Sequence, residues 1–146
     1  MITGKDFLTL AEIWINGITE AEWRCAVSRA YYAAFHQARH LLQDLSFTVP
    51  IGDQAHAYLW LRLSNSGNLP VQLAGSDLNT LRRERNRSDY DIHRDLNQAD
   101  ALLQVRAAAR IIQILDGASN DPIRGQITDT MKIYERDILK VVTWKP

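Results

Sequence analysis

Apolar residues along this chain recur at intervals of three and four, the period at which helical side chains return to one face. Phe7, Leu8, Ala11, Ile13, Trp14 and Ile15 predict a first short helix that stops near Asn16 and Gly17. A second, longer helix is expected from about Glu20 to Leu45, with Thr19 as its cap and Glu22 in capping-box position. Val49 to Gly52 read as a turn, after which Asp53 caps a third helix reaching roughly Leu63. The cluster SNSGNLP reads as a loop, so the fourth helix is expected to begin near Ser76 or Asp77. A fifth runs from about Asn97 to Asp116 and ends at Gly117, and a sixth starts at Pro122 with Asp121 as cap. Its positions Ile127, Met131, Tyr134, Ile138 and Val141 keep helical spacing and predict one inward face. Only the last few residues alternate as a strand would. The pattern predicts an all-α fold, a single-domain bundle of five or six helices with short connections.

Composition narrows the function classes. The chain has 146 residues, the size of one ordinary domain, and its 17 basic residues balance 17 acidic ones. No overall field therefore draws it to a polyanion, and any such binding must come from a local cluster. The single cysteine, Cys25, excludes an internal disulfide and reads as a small apolar filler. No window approaches the apolar length of a membrane span, so the chain is expected to be soluble and cytoplasmic, with no membrane partner.

Two stretches carry chemistry. In SRAYYAAFHQARHLL, the alanines Ala26, Ala30, Ala33, Ala34 and Ala38 allow a neighbouring backbone to come close, as a central helix requires. The same helix aligns Arg29, Tyr32, His36 and then Arg39 or His40 on one stripe, either a set of satisfied polar groups or the wall of a cleft. His56 reads as structural. The second stretch is LRRERNRSDYDIHRD, residues 81–95. Leu78 and Leu81 begin an apolar stripe whose next members are Arg85 and Ser88, so the stripe turns polar halfway. Such a face must be exposed, meet a partner or line a site.

Three chemistries compete for that stretch. One is a solvated helix end with arginine–aspartate pairs. Another is a metal loop, since Asp89, Asp91, His93 and Asp95 alternate. A calcium loop needs glycine at its sixth position, where Arg94 stands, so no metal is expected. The third is metal-free cleavage of RNA. RNA carries its own nucleophile, the 2′-hydroxyl, so a histidine acting as acid or base and an arginine holding the phosphate suffice without a cofactor. Arg85, Arg87 and His93 supply those groups. In an unbroken helix Arg87 and His93 would lie roughly 120° apart, so the helix must end or bend near Tyr90, or a second chain must contribute.

SRAYYAAFHQAR, His56 and RERNRSDYD together resemble the HEPN family, over nearly the whole chain. The resemblance implies an all-α bundle that commonly dimerises. In active members it implies a metal-independent ribonuclease site in the cleft between subunits, built from an arginine and a histidine a few residues later. Carried to this sequence, His93 matches the histidine. Arg87 has the family-like spacing and Arg85 the family-like neighbour, Asn86. Arg87 is the preferred catalytic partner, with Arg85 as a supporting phosphate ligand. Arg82, Arg83, Asn86, Tyr90, Tyr32 and His36 are the expected substrate-binding residues. RNA is the implied substrate, a homodimer the implied assembly, and a nucleotidyltransferase-type antitoxin the implied partner. Paired toxins of the family often carry a tyrosine two residues after the histidine, where this chain has Asp95. The alternatives are a non-catalytic module that binds a nucleotide or a partner protein, and a structural bundle whose arginines only form salt bridges.

Overall fold

The computed structural model describes residues 1–146. Six α-helices follow one another: α1 (Gly4–Trp14), α2 (Glu20–Asp44), α3 (Gln54–Ser64), α4 (Leu69–Tyr90), α5 (Gln98–Ala118) and α6 (Ile123–Tyr134). The all-α expectation holds. No strand is present, but Phe47 and Trp144 form one antiparallel bridge, so the terminal alternation does describe a short extended segment. No helix is long and apolar enough to cross a membrane.

α2 is the axis of the bundle. Its alanines 26, 30, 33, 34 and 38 are fully buried, and α1, α4 and α5 all pack along it. Small side chains let those helices approach closely, while Tyr31, Phe35, Leu41 and Leu42 fill the remaining space. Cys25 is not part of this filling. It sits on the exposed side of α2, one residue outside the buried stripe.

The helix ends follow local capping chemistry more than the predicted boxes. Thr19 accepts the Glu22 N–H at 3.3 Å as its cap role requires. The reciprocal capping box, however, forms at α1, where Thr3 and Asp6 satisfy each other's backbone donors. Asp53 makes no capping hydrogen bond to α3, whereas Asn97 accepts the Asp100 N–H at 2.8 Å. Asp121 accepts from Gly125 N–H at 3.1 Å, one residue outside the assigned cap Pro122. Gly117 does not end α5, which runs one residue further.

Two larger differences matter. α4 begins at Leu69, not near Ser76, because Asn68 caps it through Val71 N–H at 3.3 Å and Pro70 occupies its first turn. The loop shrinks to Asn65–Asn68, and the added turns bury Val71, Ala74 and Gly75 against α3. The second difference is after α6. A π-helical turn at Glu135–Leu139 shifts the periodicity, so Ile138 and Val141 face solvent instead of continuing the Ile127–Met131 face. What the turn brings inward is Glu135, fully buried against Arg62 of α3. Its two oxygens also accept from Thr143 and Trp144, which ties the C-terminal segment down beside Phe47.

Candidate functional site

The charged end of α4 separates into two faces. Residues two apart on a helix lie about 200° apart, so Arg85 and Arg87 cannot share a side. Arg83, Arg87 and Tyr90 are exposed; Arg82 and Asn86 are half-buried; Arg85 and Ser88 are buried with Leu78 and Leu81. The stripe that turns polar halfway along α4 therefore stays inside the protein, and its polar half is covered by α2.

On the outward face, the Arg87 guanidinium pairs with Glu84 at 2.9 Å while keeping half of its side-chain surface in solvent. α4 ends at Tyr90, and His93 lies exposed in the following loop. That loop is anchored from α2. Arg24 donates through Nη1 to the carbonyls of Arg87 (3.3 Å), Ser88 (3.0 Å) and Asp91 (3.1 Å), and through Nη2 to that of Arg94. One guanidinium thus bonds the Arg87 and Ser88 carbonyls at the end of α4 and holds the loop carrying His93. Glu20 braces Arg24 at 3.0 Å and accepts the Leu96 N–H at 2.8 Å. These bonds, that from Leu96 first and those from Arg24 next, hold the Glu20 carboxyl below its ordinary range. A groove of about 270 Å³ opens here, lined by Arg24, Arg87, Arg94, Asp95 and Asp100 among others.

On the inward face, the Arg85 guanidinium carbon stands 5.3 Å from the Tyr31 ring centre and 5.2 Å from that of Tyr32. Both rings belong to α2 and offer their electron-rich faces to the cation. Asp89 approaches Arg85 at 3.9 Å and accepts from the Ser28 hydroxyl at 3.2 Å. Arg82 reaches Asn79 at 3.4 Å. The Nε–H groups of both Arg82 and Arg85 are buried and find no acceptor in the protein. A buried donor left unpaired costs about 1–3 kcal/mol, so these two atoms mark the polar cluster as something other than ordinary core.

Tyr31 and His56 complete that cluster. The Tyr31 hydroxyl hydrogen-bonds His56 Nδ1 across α2 and α3, with the two rings stacked 5.6 Å apart. Burial raises the Tyr31 pKa against the opposing pull of Arg85 and Arg82, so the phenol keeps its proton. Burial, then Arg85 and Arg82, lower the His56 pKa, outweighing Asp53. The Tyr31 hydroxyl and His56 Nδ1 are thus paired with each other inside the cluster.

The stripe expected on α2 forms as a stack. Arg29 lies 5.3 Å from the Tyr32 centroid and 5.4 Å from that of Phe7, and His36 stacks on Phe7 at 5.2 Å. Burial, then Arg39 and Arg29, lower the His36 pKa. Tyr32 meets Arg85, but His36 opens on a different groove, about 740 Å³, between the start of α1, α2 and the end of α5. The structure thus joins Tyr32, Arg82 and Arg85 with the unforeseen Tyr31 and with His56, expected only as a structural residue, and leaves Arg83, Arg87, Tyr90 and His93 on the outer surface. Asn86 lies between the two faces. Neither face gathers three His, Cys, Asp or Glu side chains as a metal cage would. No family model, curated protein or solved structure matches this chain.

Besides Tyr31, pattern reading missed Arg24 and Glu20. Their spacing of four was visible, but their partners lie 63 to 76 residues further along the chain. His56 was visible as a residue, though its neighbours Arg82 and Arg85 meet it only through the packing of α3 on α4.

Proposed function

We propose that this chain is a metal-independent endoribonuclease of the HEPN type, acting as a cytoplasmic homodimer in a toxin–antitoxin or defence setting. One observation carries the reading. The exposed Arg87 and the exposed His93 flank a helix end whose loop is fastened to α2 by Arg24, so two RNA-directed groups project from a fixed backbone. Arg87 holds the non-bridging oxygens of a phosphodiester and offsets the charge that develops on them. The 2′-oxygen forms a bond to phosphorus as the bond to the 5′-oxygen breaks, leaving a 2′,3′-cyclic phosphate and a 5′-hydroxyl. One His93 accepts the 2′-proton and the second copy in the dimer supplies a proton to the leaving oxygen. Arg83, Asn86 and Tyr90 extend the RNA-facing surface, with Arg85 holding α4 in register on Tyr31 and Tyr32. A nucleotidyltransferase-type antitoxin is the partner that such a toxin would have.

The test is cleavage of a long RNA by purified protein in excess chelator, with the oligomeric state followed by sedimentation. His93→Ala and Arg87→Ala are each expected to slow cleavage by about 10²-fold or more. Absence of cleavage, or cleavage that survives both substitutions, would sink the reading.

One observation favours a second reading, a non-catalytic module that binds a nucleotide or a nucleotidyltransferase. Arg87 is already engaged by Glu84, and Arg85 is turned inside. Saturable binding of nucleotide or partner without turnover would decide for it.

A further inference from the structure

We propose that the groove between the start of α1, α2 and the end of α5 binds a small organic monocarboxylate with an apolar body, held by Arg39 beside the stacked Phe7 and His36. At about 740 Å³ the groove falls within the size of small-molecule sites, roughly 300–1,000 Å³. It shares no residue with the Arg87–His93 surface, so the site stands or falls independently of the ribonuclease reading.

The groove is built into the helix packing. Gly4, one of its lining residues, is buried where an added Cβ would collide with the Ala33 carbonyl oxygen and stand 2.9 Å from Gln37 Cγ. That close approach seats the start of α1 directly on α2, and the reciprocal Thr3–Asp6 cap fixes its first turn. The Phe7 ring then lies on His36 at 5.2 Å, while Leu41 and Leu115 supply an apolar floor.

Charge selects the headgroup. Both acids of the groove are already engaged, Asp116 by Lys5 at 2.8 Å and the Gln37 amide at 3.3 Å, and Asp44 by Arg124 at 2.7 Å. None of the seven ion pairs in the protein includes Arg39. One half-buried guanidinium is thus left without an acid, in a groove that also presents the imidazoles of His36 and His40. Burial, then Arg39 and Arg29, lower the His36 pKa, which agrees with a guanidinium charge close to the ring. The fork of N–H donors on Arg39 matches the two oxygens of a carboxylate. A single negative charge balances it, whereas a phosphate dianion would bring a second charge toward Asp44 and Asp116. Phe7, Leu41 and Leu115 reward a ligand that carries apolar surface behind the headgroup.

The probes are phenylpropionate and hexanoate, compared with phenylpropionamide, acetate and inorganic phosphate, each titrated into the full chain at matched ionic strength. Calorimetry gives the affinity, and the ring proton resonances of His36 and His40 report where the probe sits. Saturable binding of a carboxylate probe with a shift at His36 is expected. The neutral amide should bind roughly tenfold more weakly, the loss of one charge-assisted bond. Arg39→Gln should weaken the carboxylate by the same factor while Tm holds, because no ion pair is lost with it. Arg39→Lys should retain more binding, and Arg136→Gln, exposed and outside the groove, should leave it unchanged. No saturable binding of either carboxylate overturns the proposal. So does equal binding of the amide, acetate or phosphate, or a response that Arg39→Gln leaves intact.

Discussion

Arg62 grips the Glu135 carboxylate through both Nε and Nη2, each at 2.8 Å, in a part of the protein where Glu135 is wholly excluded from water. Burial alone pushes the Glu135 pKa up, but bonds from the Thr143 hydroxyl and N–H and from Arg62 outweigh it, and the net direction is down. Glu135→Ala is expected to destabilise the fold by about 3–5 kcal/mol, because it leaves Arg62 buried with no counter-charge. The unfolding midpoint in urea measures it. Because the folded pKa lies below the ordinary 4.5, this contribution is complete above that value and disappears as pH falls through the folded pKa. A wild-type stability profile that stays flat below pH 4.5 would contradict this reading.

Removing Arg24 should release the end of α4. Arg24→Met keeps much of the apolar stem but deletes the donors to Ser88, Asp91 and their neighbours. A loss of about 1.5–3 kcal/mol is expected, the range for bonds to a charged group. Amide exchange should rise most in residues 91–97, since these carry the loop that Arg24 and Glu20 hold. Uniform acceleration over all helices would show that Arg24 stabilises the bundle rather than the loop.

Two glycines in helices should respond in opposite directions to alanine. At Gly75 an added Cβ would stand 2.6 Å from the Ser64 backbone nitrogen and 2.8 Å from Leu63 Cβ. α3 and α4 would have to part, at a cost of about 1–3 kcal/mol. At Gly117 nothing lies within 4 Å, so Gly117→Ala should stabilise by about 0.5–1 kcal/mol through helix propensity alone. Denaturant midpoints of the two variants give the comparison, and equal shifts would refute the close crossing at Gly75.

His56 links stability to pH near neutrality. Its pKa is below 6.5 in the folded chain, so the unfolded chain binds the proton more readily. Stability is then fully present above 6.5 and declines as pH falls through the folded value. His36 acts in the same direction, so the Tm of the native chain should drop between pH 7.5 and 5.5. His56→Gln should flatten part of that slope, and Arg82→Gln should raise the His56 titration midpoint read by NMR. A His56 midpoint that does not respond to Arg82 would remove the electrostatic link between α3 and α4.

The periodic arrangement of apolar residues was enough to read an all-α chain, the central role of the alanine-rich α2 and most helix limits, because burial at every third or fourth position is a local property. It failed where a local signal is outvoted by neighbours. Asn68 and Pro70 start α4 inside an apparent loop because α3 offers Val71 and Gly75 a surface to pack on. The π-helical turn exposes Ile138 and Val141 because burying Glu135 on Arg62 satisfies more groups than continuing the stripe would. The charge and polarity of that stretch of α4 were legible in the sequence, and helix geometry alone said that Arg87 and His93 could converge only if the helix ended or bent near Tyr90 or a second chain contributed. Which arginine points where was not legible. Arg85 and Arg87 are alike as letters, and only the packing of α2 across α4 turns one onto Tyr31 and Tyr32 and leaves the other beside Glu84. Long-range partners such as Arg24 with the α4 carbonyls, or His56 with Tyr31, leave no trace in spacing, since they depend on how whole helices cross rather than on how residues follow one another.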